Sequence, residues 1–198
     1  MKTLSTRILE EVVALPAAAL IYAKRLLHLG SRAAVDQTLS RLARRGQLLR
    51  VGRGLYVRPL ETRFGRRTPS VEVVLNALQA ETGETITPSG AAAANTLGLI
   101  TQVPVRTIYL TSGPSRRLRL GTQTVELKHA SPWQLTLPGR PAGEVIRALA
   151  WFGRERGPDL TSQLKQTLSP ETVQELSSAR GRVPTWVAEQ IAAMMARA

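Results

Sequence analysis

The sequence predicts an α+β protein: a small N-terminal module of helices and a hairpin, followed by a mixed α/β C-terminal domain with a helical tail. Three observations carry this expectation. Residues 31–58 read as a helix that stops at Gly46 and runs into a short, arginine-bearing hairpin. Segments 106–111, 116–120 and 124–128 read as strands, the last two alternating around a Gly-led turn. After Pro141 the apolar spacing becomes helical and stays so to the end of the chain.

Taken in order, Leu4, Ile8, Val12 and Leu15 recur at helical spacing and predict a first helix from about Ser5 to Ala14, closed by Pro16. Ile21, Leu26 and Leu27 predict a second, short helix over about Ala18–Leu27, with Gly30 in the C-terminal glycine position. Ser31 then caps a third helix, Arg32–Arg45, its hydroxyl accepting from an otherwise orphan backbone N–H. Ala34, Val35, Thr38, Leu39 and Leu42 form its inward stripe; Arg32, Asp36, Gln37, Ser40, Arg41 and Arg44 face out. Leu48–Val51 and Leu55–Val57 follow as two strands around Gly52-Arg53-Gly54, where glycines permit positive φ and place Arg53 at the tip. Tyr56 is expected to bury its ring under that hairpin, the alternative being direct contact with DNA, and Pro59 ends the hairpin. Two helices meeting at a tight turn, then a hairpin, are the outline of a winged helix-turn-helix over residues 1–60.

Charge points to the same module. Through Thr68 there are fourteen Lys/Arg against four acids, so +10 of the formal +13 lies in one third of the chain. A polyanion is the natural partner for that third. A genome that spells basic residues as Arg would also raise the count, but not cluster it. The exposed side chains divide by chemistry. Gln37 suits adenine, Arg32 or Arg41 suits guanine, and Ser40 accepts several partners, which makes these four the base-contact candidates. Ser31, Arg44 and Arg45 on the helix, with Arg50, Arg53 and Arg58 on the hairpin, are the phosphate candidates. Asp36 would repel DNA unless it orients Arg32 one turn earlier or accepts from cytosine. Singly, each is what any helix shows to water; the set points to double-stranded DNA.

Residues 61–69, with Arg63, Arg66 and Arg67, read as an exposed basic linker, and residues 70–198 as the α+β C-terminal domain. There, Ser70 opens a helix ended near Gly83, and Pro88-Ser89 opens an alanine-rich one suited to close packing. Four helices close the chain: one through Val145, Ile146, Leu149, Trp151 and Phe152; one through Leu160, Leu164 and Leu168; one opened by Ser169-Pro170; and Pro184–Ala196, which carries Met194 and Met195.

Composition bounds the alternatives. The 198 residues, 43% hydrophobic and 4% aromatic, suffice for one medium core or two small ones, and the charge step near residue 68 favours two. Absence of cysteine excludes disulfides and thiolate metal sites and accords with a cytoplasmic protein. Acids and Pro16 interrupt the apolar run a signal peptide would need, and Ala17–Ala23 is too short to span a bilayer, so no membrane association is expected. Catalysis is not expected. His28 and His129 belong to no metal-binding spacing, Thr111–Ser115 lacks a P-loop layout, and the acids are scattered. No cofactor or metal is implied.

The run Leu39-Ser40-Arg41-Leu42-Ala43-Arg44-Arg45-Gly46-Gln47-Leu48-Leu49-Arg50-Val51-Gly52-Arg53-Gly54-Leu55-Tyr56 resembles the winged N-terminal domain of the AbiEi-type antitoxins and their short relatives. Ser89–Leu99, Tyr109–Gly113 and Arg147–Leu149 extend the likeness, which covers about residues 5–152. The resemblance implies a transcriptional autorepressor that binds operator repeats and serves as antitoxin to a nucleotidyltransferase-like toxin from a neighbouring gene. Two other readings stay open at this point. One is a protein-interaction module that neutralises a toxin by direct contact. The other is an RNA-binding accessory factor, for which the deep A-form major groove is a poor receiver of a helix.

Overall fold

Helix α1 (Leu4–Ala14) opens the chain, its first turn held by Thr3, whose hydroxyl accepts from Thr6 N–H. The computed structural model describes residues 2–16, 19–63, 65–102 and 105–196. The chain is α+β and divides into two units, residues 1–84 with 117–125, and residues 85–116 with 126–198. The division lies beyond the charge step at residue 68, because α3 (Val71–Thr82) and the far part of a later hairpin group with the N-terminal elements. Among the described residues no helix is long and apolar enough to cross a membrane.

In the first unit α1 is followed by β1 (Leu20–Tyr22), a 3-10 turn (Ala23–Leu26), α2 (Arg32–Arg44), β2 (Leu49–Gly52) and β3 (Leu55–Val57). The helix expected over 18–27 is therefore a strand and a 3-10 turn in its described part; Ala18 lies outside the described residues. The reason is tertiary. Leu20, Ile21 and Tyr22 pair with Val57, Tyr56 and Leu55, so a segment with acceptable helical spacing is claimed as the third strand of an antiparallel sheet ordered β1-β3-β2. Gly30, likewise, lacks the positive φ of a helix-ending glycine; it lies beside the Leu4 side chain.

One core joins these elements: Ile8 and Val12 of α1, Ile21, Ala23 and Leu26, Val35, Leu39 and Leu42 of α2, then Leu48 and Tyr56. Each fully buried leucine contributes about 2 kcal/mol from burial alone. The basic linker expected over 61–69 is exposed but ordered as a hairpin, β4 (Leu60–Thr62) with β5 (Gly65–Arg67), apart from Phe64, which lies outside the described residues. Arg66 donates to Glu61 across it at 2.8 Å. A cross-strand charge pair, absent from any apolar pattern, is what the sequence reading missed.

The second unit begins with β6 (Ile86–Pro88), a strand not anticipated, and α4 (Gly90–Thr96). β7 (Thr107–Thr111), β8 (Arg116–Leu120) and β9 (Gln123–His129) follow in a sheet ordered β6-β7-β9-β8, of which residues 117–125 group with the first unit. α5 (Pro141–Phe152) is buried almost all round, as expected of a central helix. α6 (Gly157–Thr167), α7 (Pro170–Ala179) and α8 (Thr185–Met195) surround it through Leu160, Leu164, Leu176, Val187, Ile191 and Met194. On another side Ala93 and Ala94 of α4 meet Ala148, small residues that let the two helices approach.

Candidate nucleic-acid interface

The arrangement of α2 begins with its caps. Ser31 Oγ accepts from Ala34 N–H at 3.3 Å, so the hydroxyl offered as a phosphate contact is committed to the helix start. At the other end Gly46 adopts φ +70°, and the N–H groups of Gly46 and Gln47 return to the carbonyls of Ala43 and Leu42. This double closure ends the helix sharply and turns the chain into the hairpin. Arg66 Nη1 adds a donor to the Gly46 carbonyl at 3.2 Å, a cation at the negative end of the helix. No local signal in the sequence points to that role.

With Val35, Thr38, Leu39 and Leu42 buried, Arg32, Gln37, Arg41, Arg44 and Arg45 are left exposed on α2 and its end. Asp36 receives Arg32 Nε at 2.8 Å, one turn apart, so the carboxylate orients an arginine and partly cancels its charge on the face. At this exposure the pair adds little to stability, and its consequence is directional. Arg41 reaches back to Thr38 Oγ1 at 3.5 Å, a contact too long to hold it. Ser40 is half-buried with its hydroxyl 3.3 Å from that of Tyr56, so it ties the helix to the hairpin as well as bordering the exposed face. Tyr56 itself is 3% exposed, its ring in the core as expected.

On the β2–β3 hairpin Arg50 and Arg53 are both exposed. The pairing slips between Arg50 and Gly52, a bulge that bends the strand just before the tip. Of the two flanking glycines only Gly54 takes positive φ, at +66°; Gly52 ends β2 in an ordinary strand conformation. Arg58 departs from the group: it is half-buried and donates to the Val13 carbonyl at 3.3 Å. The structure thus brings together Arg32, Gln37, Ser40, Arg41 and Arg44 along one helix and Arg50 and Arg53 on the adjoining hairpin, while Ser31 and Arg58 carry structural bonds.

Residues 7–176 match DUF6088, described as a family of unknown function. The chain belongs to this family. Among solved structures it is similar to the crystal structure of the RV2827C protein from Mycobacterium tuberculosis, at 18% identity over 98% of this chain and 77% of that one, with a TM-score of 0.46. A search of curated proteins finds no match.

Elsewhere in this DUF6088 member the polar groups singled out from sequence are engaged locally. His28 Nε2 lies 2.7 Å from Glu11 Oε1, and His129 Nδ1 3.0 Å from the Gly113 carbonyl. The hydroxyls of Thr111–Ser115 accept from backbone N–H groups: Thr111 from Gly113, Ser112 from Thr85 and Ser115 from His129. That loop is braced by its own side chains. Among the described residues no group of three His, Asp or Glu is placed to hold a metal ion.

Proposed function

We propose that this DUF6088 protein is a sequence-specific repressor that binds double-stranded DNA through α2 and the β2–β3 hairpin, and that it acts as the antitoxin of a toxin–antitoxin pair. One observation carries the DNA reading: a helix whose outer face is arginine and glutamine, followed at once by a hairpin that closes a β1-β3-β2 sheet and ends in Arg53. The order helix, strand, short turn of helix, helix, hairpin supports a winged helix-turn-helix, in which α2 enters the major groove and the hairpin lies on the backbone or minor groove. The antitoxin role rests on the resemblance of residues 39–56 to AbiEi-type antitoxins. It predicts a gene for a nucleotidyltransferase-like protein beside this protein's own; co-purification with that gene's product would instead favour neutralisation by direct contact.

A gel shift on the protein's own upstream region at two salt concentrations tests the DNA reading. Affinity falls steeply with salt, because each neutralised phosphate releases counterions. Absent or salt-insensitive binding refutes the proposal. The same assay separates reading from holding. Gln37→Ala or Arg41→Ala is expected to narrow the gap between operator and unrelated duplex by about 1–3 kcal/mol for a lost base contact. Arg53→Ala weakens both duplexes alike.

A further inference from the structure

Arg117 and Arg119 lie on β8, far along the chain from α2. The strand alternates: Leu118 and Leu120 are buried at 1% and 4% exposure, and Arg117 and Arg119 are exposed. Period-two geometry puts both arginines on one face, roughly 7 Å apart along the strand. The buried partner of this alternation packs onto the β2–β3 hairpin. A Cβ built on Gly52 would stand 3.4 Å from Leu118 Cδ2, ordinary van der Waals contact, so Leu118 lies directly against the hairpin. Residues 117–125 accordingly belong to the first unit together with α2 and its hairpin.

Between the two hairpins runs an open groove of about 490 Å³, lined by Arg50, Val51, Gly52 and Arg53 on one side and by Arg117, Leu118, Arg119 and Thr124 on the other. Among the described residues, four arginines and no carboxylate line it. Guanidinium groups are planar forks suited to phosphate oxygens, and a cleft of one charge sign concentrates counter-ions. We infer that this groove holds a stretch of the sugar–phosphate backbone of the duplex whose bases α2 reads, with Arg117 and Arg119 as contacts supplied by the β8–β9 hairpin. The inference rests on the DNA reading of α2. It goes beyond that reading by making the interface two-armed, with one wall drawn from the later hairpin.

Duplex DNA is favoured over a single RNA strand by continuity: two of the four arginines belong to the hairpin that directly follows the groove-reading helix. Among the described residues the groove's lining is arginine, aliphatic residues, glycine and threonine, with no aromatic ring for stacking unpaired bases.

The test is the double variant Arg117→Gln, Arg119→Gln in the full chain, which keeps side-chain length on an exposed face, with its thermal midpoint compared to the parent's. Fluorescence anisotropy on operator and unrelated duplexes across a salt series gives the slope of log K against log salt. The expected result is a slope shallower by about 2, since each phosphate contact contributes about 0.9, with equal weakening on both duplexes. Parent binding with an unchanged slope in the variant overturns the groove and leaves α2 standing. Failure of the parent to bind any duplex removes both proposals. A variant that loses affinity for single-stranded RNA while keeping its DNA slope also overturns the inference and assigns the groove to RNA. Should the double variant melt early, Arg119→Gln alone is measured, with a slope change of about 1 expected and no change overturning.

Discussion

An Arg147→Met variant is expected to melt several degrees above the parent protein. Arg147 lies mid-way along α5, 1% exposed, and none of its three guanidinium nitrogens has a hydrogen-bond partner among the described residues. Burial pushes the guanidinium down to about 10, against the opposing pull of Glu144 one turn earlier on the helix. At neutral pH the group is therefore still charged, and a charge held out of water without bonded partners costs several kcal/mol. A flexible apolar chain of similar length fills the same space without that cost, and such replacements typically gain about 1–4 kcal/mol. For a chain of this size each kcal/mol moves the midpoint by about 2–4 °C.

The pH dependence follows in sign. The folded-state value is depressed, so below about 10 folded and unfolded chains both hold the proton and the penalty is present in full. Above it the unfolded chain holds more protons, and this group's contribution to stability rises with pH. Across pH 6–9, then, the difference between parent and Arg147→Met stays flat in chemical denaturation. Arg147→Ala separates charge from packing: it removes the same charge but empties the space of the stem, and melts about 2 kcal/mol or more below the methionine variant. A methionine variant less stable than the parent would mean the guanidinium is compensated in solution.

What was legible in the chain was what local chemistry determines. α2 could be read almost to the residue, because its start is a serine hydroxyl three residues from its bonded N–H, its stripe is periodic, and its stop is Gly46. The Arg32–Asp36 pair followed from the same one-turn geometry. β1 was misread because its strand character comes from Val57, Tyr56 and Leu55, residues a whole module away, and three residues are too few to show a period. The β4–β5 hairpin was invisible for a related reason: its cross-strand pair is Arg66 with Glu61, and charge carries no alternation. The second wall of the basic groove was half legible. The alternation around the Gly-led turn marks residues 116–120 as a strand, but only the seating of Leu118 beside Gly52 places Arg117 and Arg119 with Arg50 and Arg53.

Gly143→Ala is expected to destabilise the second unit by more than about 3 kcal/mol, the upper end of overpacking effects. The direction runs against propensity, since alanine in place of glycine within a helix ordinarily gains about 1 kcal/mol. Position decides the sign. Gly143 sits in the first turn of α5, and a Cβ built there would stand 2.0 Å from the Leu137 carbonyl oxygen and 2.8 Å from that of Thr136. Both obstacles are backbone, so no rotamer change relieves them. Nor is the loop free to retreat: Leu137 is held at φ +51°, the one positive-φ residue other than glycine among those described, and its carbonyl accepts from Arg140 N–H at 3.2 Å. Arg140 in turn donates to Glu171 and Glu175 of α7. Pushing the loop outward therefore pulls on the contact between α5 and α7 and opens the core around Ala142, Val145 and Leu176. Chemical denaturation should show the loss as a lower midpoint at similar slope. The helix content of the folded variant should be unchanged, because the cost falls on the loop above the helix and not on the helix itself. A stabilised Gly143→Ala protein would show that the turn over residues 136–140 is not packed against α5 in solution.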